Sequence, residues 1–203
     1  MIRIINPDNR DAHWDLLDRT FLLRDEIFNG RLEWDLPTIM GREIDQYDRD
    51  DTYYLISYEK ELGVYGGCRL LPTTTPYMLE KTFEQIDCGP LPKRDDVWEC
   101  SRFFIDNRAF KDASSNLVKR ATYELMIGLL EFGFYKNLKD IITPSDIRVE
   151  RIFRMAGCPM ERLSKPVEIG NTLAIGANVN VLPEYLDNLQ QKSGIEDSVL
   201  LEV

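Results

Sequence analysis

One segment limits the fold more than any other. Val97 to Ile105 reads Val-Trp-Glu-Cys-Ser-Arg-Phe-Phe-Ile, a strand-forming run that is apolar on both faces yet carries Glu99, Ser101 and Arg102 in its middle. Such a strand belongs inside a sheet covered on both sides. Charges placed there need partners, so the chain must bring other polar groups to this strand. Strict alternation puts Glu99 and Ser101 on one face and Arg102 on the other. Glu99 calls for a cation. Arg69, on the preceding strand, is the natural candidate, with Asp45 as a third member. A purely structural buried ion pair would satisfy the same pattern.

The remaining segments supply the layers. Met1 to Ile5 and Tyr53 to Tyr58 read as strands, and Leu62 to Leu71 pairs with the latter as a hairpin. Gly66-Gly67 inside that hairpin suggests a bulge or a close backbone approach to a ligand. Asp11 to Phe28 is helical, with apolar positions at Trp14, Leu17, Phe21 and Ile27. Asn29 to Asp51 dissolves into a polar stretch punctuated by Gly and Pro, long enough to suggest a lid or binding loop. Met78 to Phe83 is a short helix. Asn116 to Lys136 is the clearest one, with Val118, Ala121, Leu125, Leu129 and Phe132 forming a buried stripe. A short strand from Asp140 to Ile142 follows, then a helix opened by Pro144-Ser145 and stopped by Gly157. Leu173 to Val179 and Leu182 to Gln190 complete the pattern, and the tail after Lys192 is expected to fray. Interleaved strands and helices without repeats predict one α/β (α+β) domain over residues 1–203, a mixed central sheet flanked by helices.

Composition excludes several functions. The formal net charge of -10 and the pI near 4.7 argue against wrapping nucleic acid, which needs a dense positive surface. No targeting segment or membrane span is visible, so a cytoplasmic location is expected, with free thiols at Cys68, Cys88, Cys100 and Cys158. The single histidine, His13, excludes a multi-histidine metal site and a serine-histidine-aspartate triad. An enzyme built from this chain must therefore move protons with a carboxylate, or with a water held by one.

Four constellations stand out. Arg24, Phe28 and Trp34, followed by Glu43, Asp45 and Asp48, place an arginine, two aromatics and three carboxylates in sequence with little core pattern. Aromatic faces attract a desolvated cation, carboxylates add Coulomb attraction, and an arginine fork pairs with a ligand carboxylate. A solvated charged loop has the same composition. The second constellation is the polar centre of the 97–105 strand. The third, Gly66-Gly67, suits the amides of a pantetheine arm or a simple bulge. The fourth is Arg148, Arg151 and Arg154, a basic helix face open to coenzyme A phosphates, to an acidic carrier protein, or only to water.

In order and spacing, Arg24, Phe28, Trp34, Asp45, Asp48, Arg69, Phe83, Glu99 and Arg102 resemble the LuxI-type acyl-homoserine-lactone synthases, the signal-making enzymes of bacterial quorum sensing. The resemblance spans Arg24 to Arg102. It implies a fold like that of the GNAT acyltransferases, with a V-shaped acyl cleft between two central strands. It implies that Arg24, Phe28, Trp34 and Arg102 form the S-adenosylmethionine side, and that Asp45, Asp48, Arg69 and Glu99 form an electrostatic cluster beside the reacting groups. Phe83, Ser101 and Phe103 join the substrate-binding set. Thr143 falls near a threonine that favours 3-oxo acyl chains. The runs Gly41 to Asp48 and Leu71 to Pro76 are similar to a subgroup using acyl-coenzyme A with branched or aromatic acyl groups, which leaves coenzyme A and acyl carrier protein both open as donors. The implied reaction acylates the amine of S-adenosylmethionine, closes the lactone and releases methylthioadenosine. Glu99 is the candidate base and Glu43 the alternative. No metal or cofactor is expected, S-adenosylmethionine being a substrate, and neither a nucleic-acid nor a membrane partner. Two rivals are a GNAT-type N-acyltransferase acting on another amine, and a protein that only sequesters thioesters.

Overall fold

The computed structural model describes residues 1–110 and 115–201, with Ser115 described for its backbone only. The chain opens with β1 (Ile2–Ile5), a short 3-10 turn at Asp11–His13, and helix α1 (Trp14–Arg24). Instead of ending, α1 widens into a π-helical segment, Asp25–Arg31, in which the Leu32 N–H reaches back to the Ile27 carbonyl. Such segments often mark functional sites. A small hairpin follows, β2 (Thr38–Ile39) and β3 (Arg42–Glu43), so the polar stretch is less irregular than its composition suggests. Next come β4 (Tyr53–Glu59), β5 (Gly63–Pro72), the one-turn helix α2 (Met78–Lys81) and β6 (Val97–Ile105). A 3-10 turn at Asn107–Phe110 precedes α3 (Ser115–Tyr135), β7 (Asp140–Asp146) and α4 (Ile147–Ala156). Last are β8 (Glu161–Arg162), β9 (Val167–Ile169), β10 (Thr172–Asn180), α5 (Pro183–Ser193) and β11 (Leu200–Leu201).

Among the described residues, nine strands form one mixed sheet in the order β11-β1-β4-β5-β6-β7-β10-β8, with β9 also paired to β10. Helices cover both faces, as the twin-faced apolar β6 requires. On one face α3 packs with α5 over a core that includes Leu70, Leu125, Phe132 and Ile141. Burial on α3 extends beyond one stripe, because Met126, Ile127 and Leu130 are enclosed as well as Leu125 and Leu129. On the other face α1 packs through Leu17, Phe21 and Leu23 against Tyr54 and Ile56. Trp14, expected inside, is half exposed at the start of the helix.

The sheet opens at one place. Parallel β6 and β7 pair only from Val97↔Asp140 to Glu99↔Ile142. Beyond Ile142, β7 stays with β10, running on through Ala174↔Asp146, while β6 stays with β5. The gap between them is the V-shaped cleft. It also explains why Pro144 does not start a helix: a strand with one unpaired side tolerates proline. Helix α4 begins instead at Ile147, where the Asp146 carboxylate caps the Arg148 N–H at 2.7 Å. Gly157, left-handed at φ +89°, ends it as expected. The tail does not fray before residue 201, since β11 pairs in parallel with β1 and seats Val199 in the core.

Gly66 and Gly67 lie between two irregularities in the ladders, and their close approach is to neighbouring strands; neither lines the cleft. A Cβ on Gly67 would stand 2.7 Å from the Leu55 carbonyl oxygen, a backbone atom that cannot step aside. Gly67→Ala should therefore destabilise the fold by about 2 kcal/mol or more, read as a lowered midpoint in chemical denaturation.

Candidate active site

Six charged side chains form a closed ring at the cleft's inner end. Arg24, from the last turn of α1, bonds Glu43 at 2.6 Å and Asp48 at 2.8 and 2.9 Å. Glu43, on β3, also accepts from Arg102 at 2.8 and 3.0 Å. Arg102 reaches Asp45 at 3.1 Å, Asp45 accepts from Arg69 at 2.5 Å, and Arg69 returns to Asp48 at 3.1 Å. Cation and anion alternate all round. Tyr54 donates to Asp48 at 2.9 Å, and Ser101 accepts from Arg69 at 3.1 Å. Arg24, Arg69 and Glu43 are essentially inaccessible to solvent.

Mutual pairing sets the protonation states. Burial alone would raise the Glu43 carboxyl, but Arg24 and Arg102 outweigh it and hold Glu43 at about 2. Burial likewise opposes ionisation of Asp48, and Arg69 and Arg24 drive it far below the usual carboxylate range. Arg24 is pushed upward by Asp48 and Glu43 against the cost of burial. Glu43, Asp48 and Arg24 thus hold one another charged, and around the ring three arginines face three carboxylates.

Two expectations fail here, one from alternation and one from the pairing of buried charge. Arg102 has a left-handed backbone, φ +55°, at an irregularity where β6 carries one residue more than β5 between Gly67↔Phe104 and Arg69↔Ser101. That turn brings Arg102 to the same face as Ser101 and Glu99, where it and Arg69 both touch the Met78 sulfur, at 3.1 and 3.5 Å. Glu99 does not take Arg69 as a hydrogen-bonded partner. Its oxygens accept the backbone N–H groups of Met78 and Leu79, at 3.1 and 2.5 Å, so it caps α2. Burial pushes Glu99 up to about 7, against the lowering effect of those bonds and of Arg69. The arginine fork assigned to a ligand carboxylate is also occupied, because Arg24 is fully engaged by Glu43 and Asp48.

Above the ring lies a cavity of about 570 Å³. Phe28, Trp34, Phe83 and Arg102 line its inner end. The wide π-turn and the bond from Trp34 N–H to the Phe28 carbonyl set the Phe28 and Trp34 rings 5.1 Å apart. Trp34 meets Phe83 edge-on at 6.3 Å, and Arg102 lies over Phe28 at 5.3 Å. The Trp34 indole nitrogen is buried without a partner among the described residues. The outer arm runs between the splayed strands and is lined by Phe103, Leu129, Thr143, Phe153, Met160 and Val179. Phe103 and Phe153 meet edge to face at 5.6 Å.

The structure therefore divides the residues singled out from sequence. Phe28, Trp34, Phe83, Arg102, Phe103 and Thr143 reach the cavity, whereas Arg24, Glu43, Asp45, Asp48, Arg69, Glu99 and Ser101 lie around it without lining it. Of the arginine helix face, Arg148 is at the cavity and salt-bridged to Asp146, while Arg151 and Arg154 are exposed. Tyr54, Met78, Leu129, Phe153 and Met160 were missed. Each reads as an ordinary core residue, and only the divergence of β6 from β7 gives the last three a cavity to line.

A mixed sheet split between two central strands, with an apolar arm leading to an aromatic and charged end, offers one place for a long apolar group and another for a polar one. The match to the autoinducer synthase family covers residues 9–189. The chain belongs to that family, and it is an acyl-homoserine-lactone synthase by class. It is 37% identical over 179 residues to an acyl-homoserine-lactone synthase of Agrobacterium fabrum (strain C58), covering 88% of this chain and 85% of that protein. It is 31% identical to an isovaleryl-homoserine lactone synthase of Bradyrhizobium diazoefficiens, covering 98% and 88%. A solved structure of the CoA-dependent acyl-homoserine lactone synthase BjaI with SAM and isopentyl-CoA superposes with a TM-score of 0.87 at 29% identity, over 100% of this chain and 93% of that one. A putative N-acetyltransferase from Lactobacillus plantarum, 16% identical with a TM-score of 0.54, shares the fold alone.

Asp48→Asn removes one charge from a closed buried ring and should destabilise the fold by about 3 kcal/mol or more, read in urea unfolding. The ring also fixes the acid response. The folded pKa values of Glu43 and Asp48 lie below their unfolded values near about 4. Their contribution is thus complete above that pH and shrinks as the pH falls, that of Glu43 being lost through about 2 and that of Asp48 persisting in part to lower pH. Thermal midpoints measured between pH 6 and pH 2 check this, and a midpoint that held steady on acidification would contradict it.

Proposed function

We propose that this chain joins the acyl group of an acyl-coenzyme A to the amine of S-adenosylmethionine and closes the product to an N-acyl-homoserine lactone, releasing methylthioadenosine. One observation carries the reading: a single cavity runs from the aromatic end above the charged ring to the apolar cleft between β6 and β7. Two substrates of opposite character can meet there.

S-adenosylmethionine takes the inner end. Its sulfonium and ammonium are attracted by the Phe28 and Trp34 faces rather than by the ring carboxylates, whose charge the arginines already balance. The unpartnered Trp34 N–H is a ready donor to the same substrate. The acyl chain takes the outer arm. Branched and aromatic side chains line this arm, and the Phe103–Phe153 pair suits a compact branched or aromatic acyl group. Likeness to the CoA-dependent BjaI favours coenzyme A over carrier protein as donor. We assign no metal or cofactor. No helix among the described residues is long and apolar enough to cross a membrane, and we place the enzyme in the cytoplasm.

The amine must lose a proton before it attacks. An α-amino group titrates near about 8, so a base of similar strength suffices. Glu43, held at about 2, is too weak a base. Glu99, at about 7, is matched to the task. Its carboxylate is enclosed by α2, so we assign its action to a water admitted between α2 and the cavity rather than to direct contact. The neutral amine attacks the thioester carbon, and backbone N–H groups at the Arg102–Phe103 irregularity are the proposed oxyanion donors. The thiolate of the donor leaves and takes up a proton. The methionyl carboxylate then attacks its own γ-carbon, the C–S bond breaks, and methylthioadenosine departs as a neutral thioether. The ring carboxylates and arginines hold the inner wall rigid while the substrate bends.

Incubation with S-adenosylmethionine and a panel of acyl-coenzyme A and acyl carrier protein donors, followed by mass spectrometry, tests the whole reading. Acyl transfer without methylthioadenosine would point to an N-acyltransferase acting on another amine. Glu99→Gln should lower kcat at least about 100-fold and leave the substrate amine, which titrates near about 8, as the group that sets the acid-side fall in activity. Near-normal turnover would take the proton transfer away from Glu99.

A further inference from the structure

The loop that presents Trp34 is strained and is held from outside. Glu33 and Asp35, on either side of Trp34, adopt left-handed backbone conformations, φ +54° and +52°. Residues other than glycine keep such conformations when their surroundings impose them. One end of the loop is fixed locally, because Asn29 accepts from the Leu36 N–H at 2.6 Å and donates to the Leu36 carbonyl at 3.1 Å. The middle is met by the two-residue turn between β9 and β10. Gly170, left-handed at φ +53°, sits so close that a Cβ there would stand 3.0 Å from the Glu33 carbonyl oxygen and 3.3 Å from the Trp34 ring. Its neighbour Asn171 donates to the Glu33 carboxylate at 2.7 Å. Trp34 and Asn171 both line the cavity, and β10 is also the partner of β7, the strand that forms one wall of the acyl arm.

We propose that the Gly170–Asn171 turn is a brace that holds Trp34 in its substrate-binding position, with Asn171 and Glu33 as positioning residues for S-adenosylmethionine. The proposal rests on the assignment of Trp34 to that substrate. Neither residue is assigned to a reacting atom, and both act through the orientation of the indole. The brace ties the strand pair behind the acyl arm to the loop at the amine end, so the two halves of the cavity keep a fixed separation.

Steady-state kinetics on the full chain test this, with methylthioadenosine release as the readout. Glu33→Ala and Asn171→Ala should each raise KM for S-adenosylmethionine by about fivefold, the worth of one solvent-accessible hydrogen bond to a charged group. KM for the acyl donor and kcat should change much less. Glu33→Gln keeps an acceptor oxygen and should recover most of the affinity. The double variant should be no worse than either single one, since each removes the same bond. A bond that served folding alone would lower the unfolding temperature and leave KM for S-adenosylmethionine at the wild-type value, and that result overturns the brace. Additive losses in the double variant overturn it too. A wild-type chain that released no methylthioadenosine would instead sink the functional reading, and the brace with it.

Discussion

The alternating ring of Arg24, Glu43, Arg102, Asp45, Arg69 and Asp48 is the interaction on which the rest of this structure depends. It binds together segments that no hydrophobic pattern would hold: the end of α1, the β3 hairpin, the loop after it, β5 and β6. Buried ion pairs gain little net stability over apolar packing, so the ring is better understood as a device for register. Each arginine has its planar fork committed to two acids, which fixes the polar segment after α1 against the sheet. The aromatic rings that line the cavity then stand on a rigid floor. Three arginines balance three carboxylates in that floor, and of the six only Arg102 lines the cavity.

The cleft follows from an equally local cause. Parallel strands β6 and β7 share three register pairs and then follow different neighbours. At the same level β6 accommodates an extra residue, turning Arg102 toward the ring. Opening of the sheet, exposure of ladder groups and delivery of a charged side chain thus occur within a few residues. The proposed reaction draws on all three: room for the acyl chain, donors for its carbonyl, and a polar boundary beside the amine.

Much of this was legible in the sequence. The limits of β6 and α3 follow from periodicity, because both are long and strongly patterned. The ring residues stood out as charges in places where charge is costly, and their spacing carried the family resemblance. Legibility failed where a single backbone angle decided the outcome. Alternation assigns Arg102 to the wrong face because nothing in its neighbours announces a left-handed residue. Proline at 144 suggested a helix start, since the sequence does not reveal that β7 is unpaired on one side. Glu99 was matched to a cation because burial in a strand implies one, and a helix N-terminus supplied by α2 answers the same need with backbone N–H groups. The acyl arm was the least visible part, being made of side chains that look like any other core.

The two walls of that arm differ in how freely they can change. Helix α3, which contributes Leu129, is enclosed on several sides, with Met126, Ile127, Leu130 and Phe132 all buried. Helix α4 contributes Val149, Ile152 and Phe153 from one face, while Arg151, Arg154 and Met155 look outward. A larger or smaller residue on α3 disturbs the central core, whereas one on α4 can be absorbed by a small shift of a helix with solvent behind it. Diversification of the signal molecule therefore has an easy direction: new tail chemistries are accommodated through α4 and the strands beside it, while the charged ring and the long central helix stay as they are.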